Sequence, residues 1–309
     1  MALFLSNEDV AELLPMSECI DVLDDLFRQE SQGLVENIAR QRNRYGALST
    51  TLMGGVALGS EAYAVRHASS TLLYSTVTGK LEAVLEPGTL AWIRTGAASG
   101  VAAKYLAEPD ASVVGMLGAG RQAVTQLQAM CEVRPIRHIK VFSRTPETRT
   151  AFAREMAEQL GVEVEPVDSA RGAVQGSPIV VAITNAREPV FDGDDLDPGT
   201  CVIAAGSNSW MKREVDVTTI RRSDLVVVDN LEQAKTECGE LMAAATTGAF
   251  RWRQAVELHQ VVGGQVPGRP SAEAITLFES QGIGIEDVAA SAYVLEKARA
   301  AEMGQELPF

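Results

Sequence analysis

The sequence has 309 residues, of which 46% are hydrophobic and 22% are charged. At about 150 residues per domain, this length predicts two domains, and the composition excludes a disordered chain or a coiled-coil rod. Because 27 Lys and Arg residues stand against 41 Asp and Glu residues, the formal net charge is -14. That sign is wrong for neutralising a phosphate backbone, so we expect no nucleic-acid partner.

No uninterrupted apolar run approaches the ~18 residues that a membrane span requires, and no basic patch followed by an apolar stretch opens the chain. The four cysteines are far apart and form no C-x-x-C motif, and the three histidines form no metal-ligand pair. We therefore expect a cytoplasmic protein with reduced cysteines, no metal centre and no membrane contact.

The first part of the chain combines a short helical unit with several strands. Helical patterning extends to Gly33. The segment 38–52 alternates as one strand would, with Arg40, Arg42 and Arg44 at period two, although a solvated strand face explains this pattern equally well. Further strands are predicted at 63–65, 71–75 and 81–85, followed by a helix of small residues at 91–106.

From Ala111 onward, apolar strands alternate with helices, which predicts a parallel sheet covered on both faces. The predicted strands are 112–117, 139–143, 179–184, 201–205, 225–228 and 275–278. Helices are predicted to end near Cys131 and to span 146–160 and 285–301.

Gly118, Gly120 and Ala123 form a G-x-G-x-x-A motif directly after a strand and directly before a helix. One glycine makes the tight turn, the second lets a pyrophosphate approach the backbone, and the small third residue lets helix and strand pack closely. The helix start favours an anion. The motif predicts a dinucleotide site, and a purely structural glycine turn is the alternative.

The end of the second strand of this unit indicates which nicotinamide cofactor is used. An Asp or Glu there would bind the ribose 2′-hydroxyl, whereas this sequence has Ser143, Arg144 and Thr145. A cation with two hydroxyls suits a phosphate, so NADP(H) is favoured over NAD(H). The alternative is that Arg144 is a solvated surface residue.

The chain resembles the ornithine cyclodeaminase and mu-crystallin family over nearly its whole length. The matching segments are 5–33, 93–99, 118–123, 206–208, 212–216, 228–234 and 282–288. This resemblance implies a Rossmann-type doubly wound parallel sheet at 111–281. It also implies a smaller α+β domain, built from 1–110 and 282–309, that binds substrate and makes a homodimer.

Members of this family use NAD(P)(H) on amino acids or their imines. The resemblance implies that two arginines hold the carboxylate of a small amino- or imino-acid substrate, which suits the bidentate guanidinium group. One of them is Arg94, for which a phosphate contact or a helix-start salt bridge is the alternative. The other is Arg40 or Arg42, and we favour Arg42.

Three features depart from the family pattern. Arg66 stands where the family has a lysine, and arginine offers charge and hydrogen bonds rather than proton transfer. Asn208 stands where cyclodeaminases have an aspartate, and an amide cannot take a proton. A segment of about a dozen residues that the family has between Arg66 and Thr78 is missing. These departures count against ornithine cyclodeaminase activity but not against hydride transfer to an imine.

Two further carboxylates and one histidine are placed to handle protons. Asp229 follows the strand 225–228 at the carboxyl end of the sheet, with helix capping as the alternative. His67 is adjacent to Arg66, but a regular strand directs the two side chains to opposite faces. Asp287 matches a family position near the nicotinamide and could equally cap the last helix.

The first hypothesis is therefore an NAD(P)H-dependent oxidoreductase that reduces a small ketimine or imino acid, or oxidises the amino acid in reverse. The second is ornithine cyclodeaminase activity, which yields proline and ammonia, and the third is nucleotide binding without catalysis. In the first, Arg66, Asn208 and Asp229 are the candidate catalytic residues. The candidate cofactor-binding residues are Thr95, Gly118, Gly120, Arg121, Gln122, Ser143, Arg144, Thr145, Thr184 and Ser207.

Overall fold

The structure is a computed structural model that describes residues 1–308. The chain divides into two compact units: residues 1–98 with the segment that starts at Ile283, and Ser99–Gly282. The helices are α1 (Asn7–Leu13), α2 (Met16–Ser31), α3 (Pro87–Leu106), α4 (Arg121–Val133), α5 (Pro146–Leu160), α6 (Ala170–Val174), α7 (Val217–Arg222), α8 (Leu231–Glu237), α9 (Gly239–Thr246), α10 (Leu258–Val262) and α11 (Gly284–Ala301). The strands are β1 (Leu3–Leu5), β2 (Val35–Tyr45), β3 (Leu48–Ala57), β4 (Ala62–His67), β5 (Ser70–Ser75), β6 (Leu81–Leu85), β7 (Val113–Leu117), β8 (His138–Phe142), β9 (Glu163–Pro166), β10 (Ile179–Ala182), β11 (Cys201–Ala204), β12 (Leu225–Val228), β13 (Ala255–Glu257), β14 (Thr276–Glu279) and β15 (Gln305–Glu306).

The first unit contains a sheet with the strand order β15-β1-β6-β5-β4-β3-β2. Strands β1 and β6 are parallel, and the other neighbours are antiparallel. The prediction of one strand at 38–52 is wrong, because β2 and β3 form a hairpin across that segment. Gly46 reverses the chain with a φ of +62°, a conformation that favours glycine.

Helix α11 returns to this unit and begins against the middle of β3. A Cβ on Gly284 would lie 2.1 Å from the Gly54 carbonyl oxygen, and a Cβ on Gly55 would lie 2.5 Å from Ile285 Cγ2. The Gly284 N–H donates to Asn37 Oδ1 on β2 (2.9 Å). Glycines on both sides therefore let the first turn of the helix lie directly on the sheet.

The second unit contains a fully parallel sheet with the strand order β13-β12-β14-β11-β10-β7-β8-β9. The order reverses between β7 and β10, and open α/β sheets bind ligands at such a switch point. The predicted α/β architecture, with a doubly wound parallel sheet and a second unit, is confirmed. Among residues 1–308, no helix combines the length and apolarity that a bilayer crossing requires.

Candidate active site

The glycine turn joins β7 to α4 at the switch point of the parallel sheet. Gly118 has a φ of +118°, and a Cβ there would lie 2.4 Å from the Ile183 carbonyl oxygen, so conformation and space both require glycine. A Cβ on Gly120 would meet no atom within 4 Å. No side chain caps the helix start, where Arg121 and Gln122 form the first turn. Open space beside such a helix start fits the pyrophosphate of a dinucleotide.

The loop after β8 carries Ser143, Arg144 and Thr145. Ser143 Oγ donates to the Thr145 carbonyl oxygen (3.3 Å), and Arg149 Nη1 donates to the Ser143 carbonyl oxygen (3.2 Å). Arg149 is buried and also pairs with Asp168, so it fixes the loop. The side chains of Arg144 and Thr145 are exposed.

A buried glutamate, Glu214, joins the loops after β10 and β11. It accepts hydrogen bonds from Thr184 N (2.5 Å), Thr184 Oγ1 (2.7 Å) and Gly206 N (2.6 Å). Its own N–H donates to Glu240 Oε1 (2.7 Å). The sequence predicts no role for Glu214, and the only signal for it is its place in the matching segment 212–216.

The loop after β11 continues through Ser207 and Asn208. Ser207 is buried, and its hydroxyl donates to the carbonyl oxygens of Ser209 (3.3 Å) and Lys212 (3.4 Å). Asn208 is exposed next to it. The structure therefore brings Thr184, Ser207 and Asn208 to the carboxyl ends of two neighbouring strands, β10 and β11.

Asp229 follows β12 and is completely buried. Its Oδ2 accepts from Gln281 N (2.7 Å) and Gly282 N (2.6 Å), and its Oδ1 accepts from Asn230 N (2.8 Å). Asn230 caps α8, since its Oδ1 accepts from Gln233 N (3.0 Å). The Asp229 carboxylate therefore holds the loop that follows β14.

The interior beside these loops contains several acidic side chains. Burial raises the pKa of Glu214 to about 7, although the hydrogen bonds from Thr184 and Gly206 oppose it. Burial likewise raises the pKa of Glu240, Glu279 and Cys238. Cys238, Glu240 and Glu279 each place one oxygen or sulfur atom within 4.8 Å of the other two, which is a spacing compatible with metal ligation. The raised pKa values favour protonated side chains in this group.

In the first unit, the first turn of α11 holds two arginines. Arg94 is buried, with Nε 3.0 Å from Asp287 Oδ1 and Nη1 2.7 Å from Glu286 Oε2. Arg66 Nη1 lies 3.6 Å from Asp287 Oδ2. Burial lowers the pKa of Arg66, whereas for Arg94 the two carboxylates outweigh burial and raise the pKa. Thr95 Oγ1 donates to the Ala91 carbonyl oxygen (2.7 Å) within α3.

The strand register places Arg42 on the same face of the sheet as Arg66. Arg42 is paired with Thr51 and Arg66 with Met53, and Thr51 and Met53 are two residues apart on β3. Arg40 lies in the β-bulge between Ile38 and Gln41 and is half-buried, whereas Arg42 is exposed. Both arginines therefore remain candidates for the second carboxylate-binding residue.

The shortened segment after Arg66 is a tight turn between β4 and β5. His67 pairs with Ser70, and Ala68 between them has a φ of +50°. His67 is also paired with Leu52, one residue from the Met53 that opposes Arg66, so the two side chains leave opposite faces of the sheet.

A family model supplies the decisive comparison. The model of the ornithine cyclodeaminase/mu-crystallin family matches residues 1–302. The chain belongs to this family. The resemblance inferred from the sequence motifs is confirmed.

Solved structures within the ornithine cyclodeaminase/mu-crystallin family match the chain over its length. The Thermococcus litoralis Δ(1)-pyrroline-2-carboxylate reductase, in complex with NADH and L-proline, is 34% identical with a TM-score of 0.94, over 99% of this chain and 100% of that one. An archaeal alanine dehydrogenase dimer with bound NAD is 29% identical with a TM-score of 0.92, over 100% and 99%. The Paracoccus denitrificans iminosuccinate reductase, in complex with NAD⁺, is 26% identical with a TM-score of 0.93, over 100% and 99%.

Proposed function

We propose that this protein is an NAD(P)H-dependent oxidoreductase that reduces the C=N bond of a small ketimine or imino acid, or oxidises the corresponding amino acid. The observation that carries the proposal is that one chain combines an open glycine turn at Gly120 with arginines held by carboxylates at the start of α11. The similarity to reductases of pyrroline-2-carboxylate and iminosuccinate supports the same chemistry.

The chain's own residues bind and orient the substrate in this proposal. A bound nicotinamide supplies the hydride. Asp287 and Glu286 hold Arg94 through Nε and Nη1, and in this proposal the Arg94 guanidinium binds the substrate carboxylate together with Arg42. Arg66 stays a cation and contributes charge and hydrogen bonds. Asn208, which is exposed in the loop after β11, is the residue proposed to orient the substrate nitrogen.

We assign Asp229 to loop positioning rather than to proton transfer. Its carboxylate already accepts three backbone N–H groups and is completely buried. These hydrogen bonds occupy lone pairs that the carboxylate would otherwise use to take a proton from a substrate.

We propose that the cofactor is NADP(H) in preference to NAD(H). Arg144 and Thr145 are exposed at the end of β8, where Rossmann units contact the ribose 2′ position. No carboxylate side chain occupies positions 143–145 to repel a 2′-phosphate. The similar structures contain NADH, NAD or NAD⁺, so the ratio of the two affinities in this chain is the deciding measurement.

We propose that the protein is a homodimer. Strand β2 is an edge strand of 11 residues, and its tip exposes Tyr45 (68%) and, across the turn, Leu48 (58%). A long edge with exposed apolar side chains pairs readily with another chain. The similar alanine dehydrogenase is a dimer. Light scattering should give twice the mass of one chain.

We propose that the protein works in the cytoplasm. Its four cysteines are free thiols, and Cys19, Cys201 and Cys238 are buried. Reduced, buried cysteines are usual where glutathione and thioredoxin keep thiols reduced.

The function is tested by following NADPH and NADH oxidation with a panel of substrates. The panel contains Δ(1)-pyrroline-2-carboxylate, and pyruvate or oxaloacetate with ammonia. We expect oxidation with at least one imino acid, and its loss in Arg94→Ala. Proline and ammonia formed from ornithine, with no net cofactor consumption, would instead establish cyclodeaminase activity. Cofactor binding without turnover of any substrate would contradict both imine reduction and ornithine cyclodeaminase activity.

A further inference from the structure

Three loops pack backbone to backbone at the carboxyl edge of the parallel sheet. A Cβ on Gly118 would lie 2.4 Å from the Ile183 carbonyl oxygen. A Cβ on Gly206 would lie 2.3 Å from Thr184 N and 2.5 Å from Thr184 O. The glycine turn, the β10 loop and the β11 loop therefore form one contiguous layer in which each loop limits the position of the next.

Glu214 binds two of these loops through a single carboxylate. Its Oε1 accepts from Thr184 N and Oγ1, and its Oε2 accepts from Gly206 N. The Glu214 carbonyl oxygen also accepts from Val190 N (2.9 Å), further along the β10 loop. One residue thus sets the separation between the β10 loop and the β11 loop.

The position of Glu214 is itself fixed from the side away from the loops. Its N–H donates to Glu240 Oε1 on α9, and its side chain has no exposure to solvent. A carboxylate is suited to this place because it accepts several hydrogen bonds without donating any. Removing it would leave up to three donors without their acceptor in the protein interior.

We infer that Glu214 is a positioning residue for dinucleotide binding, because it holds the β10 loop and the β11 loop in the register that packs them against the glycine turn. This inference rests on the proposed function. The β11 loop continues into Ser207 and Asn208, so a shift at Gly206 moves both side chains. Glu214 acts on the cofactor through these loops and does not need to touch it.

The test compares Glu214→Gln with Glu188→Gln in the full-length protein. Glu188 is an exposed carboxylate on the same β10 loop, and its 3.3 Å contact with Arg213 is a surface ion pair, so its variant controls for the loss of one negative charge. We measure the Kd for NADPH and NADH by fluorescence titration, the cofactor KM and substrate KM separately, and the thermal midpoint.

For Glu214→Gln we expect the cofactor Kd and KM to rise about tenfold while the substrate KM changes little, since one accepting oxygen becomes an NH2 donor that faces a buried N–H of Thr184 or Gly206. A purely structural role would reduce the amount of folded enzyme and leave the cofactor KM of the remainder unchanged. If the parent binds NADPH or NADH and Glu214→Gln binds it equally well, the inference is overturned and the proposed function stands. If the parent protein binds neither NADPH nor NADH, both the inference and the proposed function are overturned.

Hydrogen exchange on the parent keeps the test decisive even if Glu214→Gln fails to fold. The amides of Thr184 and Gly206 should exchange slowly without cofactor, because Glu214 already accepts their hydrogen bonds. Rapid exchange of both amides in the cofactor-free protein would overturn the inference.

Discussion

Arg94 and Asp287 form a buried ion pair between residues 193 positions apart in the sequence, with Nε 3.0 Å from Oδ1. Glu286 completes the arrangement, because its Oε2 lies 2.7 Å from Arg94 Nη1. The start of α11 therefore fixes the guanidinium plane through two of its nitrogens. A side chain held in this way is pre-organised for the carboxylate binding that we propose, since it would lose little rotamer freedom when a ligand binds.

Replacing Arg94 should lower both stability and activity. Arg94→Ala removes the cation that Glu286 contacts at 2.7 Å and leaves Asp287 with the longer 3.6 Å contact to Arg66, and breaking a buried pair costs about 3–5 kcal/mol. We expect a loss of this size in the urea unfolding free energy, together with loss of imine reduction. Arg299→Ala is the control, because Arg299 is half exposed and its contact with Glu82 is 3.6 Å. Equal unfolding free energies for Arg94→Ala and Arg299→Ala would contradict a stabilising role for the buried Arg94 ion pairs.

The sequence accounts for the parallel sheet but not for this ion pair. Strand β8 lies within one residue of its predicted bounds, and α5 begins and ends where predicted, because apolar periodicity is a local property of the chain. The pairing of Arg94 with Glu286 and Asp287 depends on where α11 returns, and the close approach of Gly54 and Gly284 decides that position. No periodicity within α3 or α11 encodes such a contact.

The hairpin at Gly46 is a second feature that the sequence pattern does not predict. The arginines at period two predict a continuous strand, because alternation does not mark where a chain reverses within a run of strand residues. Glu214 is a third feature that the sequence does not predict. Its carboxylate hydrogen-bonds two loops that come together only because β10 and β11 lie side by side.

Arg66 should contribute to activity more than to stability. Its side chain is 25% exposed and its 3.6 Å contact with Asp287 is longer than either ion-pair contact of Arg94, so we expect its ion pair to add less to folding than that of Arg94. We expect Arg66→Ala to lower kcat/KM about tenfold or more, because a charge-assisted contact to substrate is lost, and Arg66→Lys to keep most of the activity. Steady-state kinetics on the best imino acid would measure this. Full activity in Arg66→Ala would remove Arg66 from the site.

The two glycines of the turn should respond differently to the same substitution. Gly118→Ala places a Cβ 2.4 Å from a carbonyl oxygen at a φ of +118°, so we expect a less stable protein. At Gly120 the φ is -97° and a Cβ meets nothing within 4 Å. Gly120→Ala should therefore fold as stably as the parent but bind NADPH about tenfold more weakly or worse, because the methyl group occupies the pyrophosphate's place.

Thermal midpoints and NADPH titrations of both variants would distinguish these effects. Unchanged NADPH affinity in Gly120→Ala would mean that the pyrophosphate does not approach the backbone at Gly120. Loss of stability in Gly120→Ala would mean that the turn has no room for a Cβ at this position.

Arg144 should set the preference between the two cofactors. Arg144→Ala removes the cation proposed to bind the 2′-phosphate, so we expect the Kd for NADPH to rise about tenfold while the Kd for NADH stays the same. Arg154→Ala is the control, since Arg154 is an exposed arginine on α5 outside this loop. A parallel weakening of both cofactors in Arg144→Ala would show a general effect of charge rather than recognition of the 2′ group.

Glu279 should make the protein less stable as the pH rises. Burial, followed by the charges of Glu240 and Glu214, raises its pKa well above the ordinary value of 4.5. Because the folded protein then binds a proton that the unfolded chain releases, this contribution to stability is present below pH 4.5 and is lost as the pH rises through the folded pKa. A glutamine amide does not titrate, so Glu279→Gln should lose less stability than the parent between about pH 5 and about pH 8, by about 1 kcal/mol or more.

Urea unfolding across that pH range would measure the difference in unfolding free energy, with the exposed Glu163→Gln as the control. Parallel pH profiles for the parent and Glu279→Gln would show that Glu279 ionises in the folded protein much as it does in the unfolded chain.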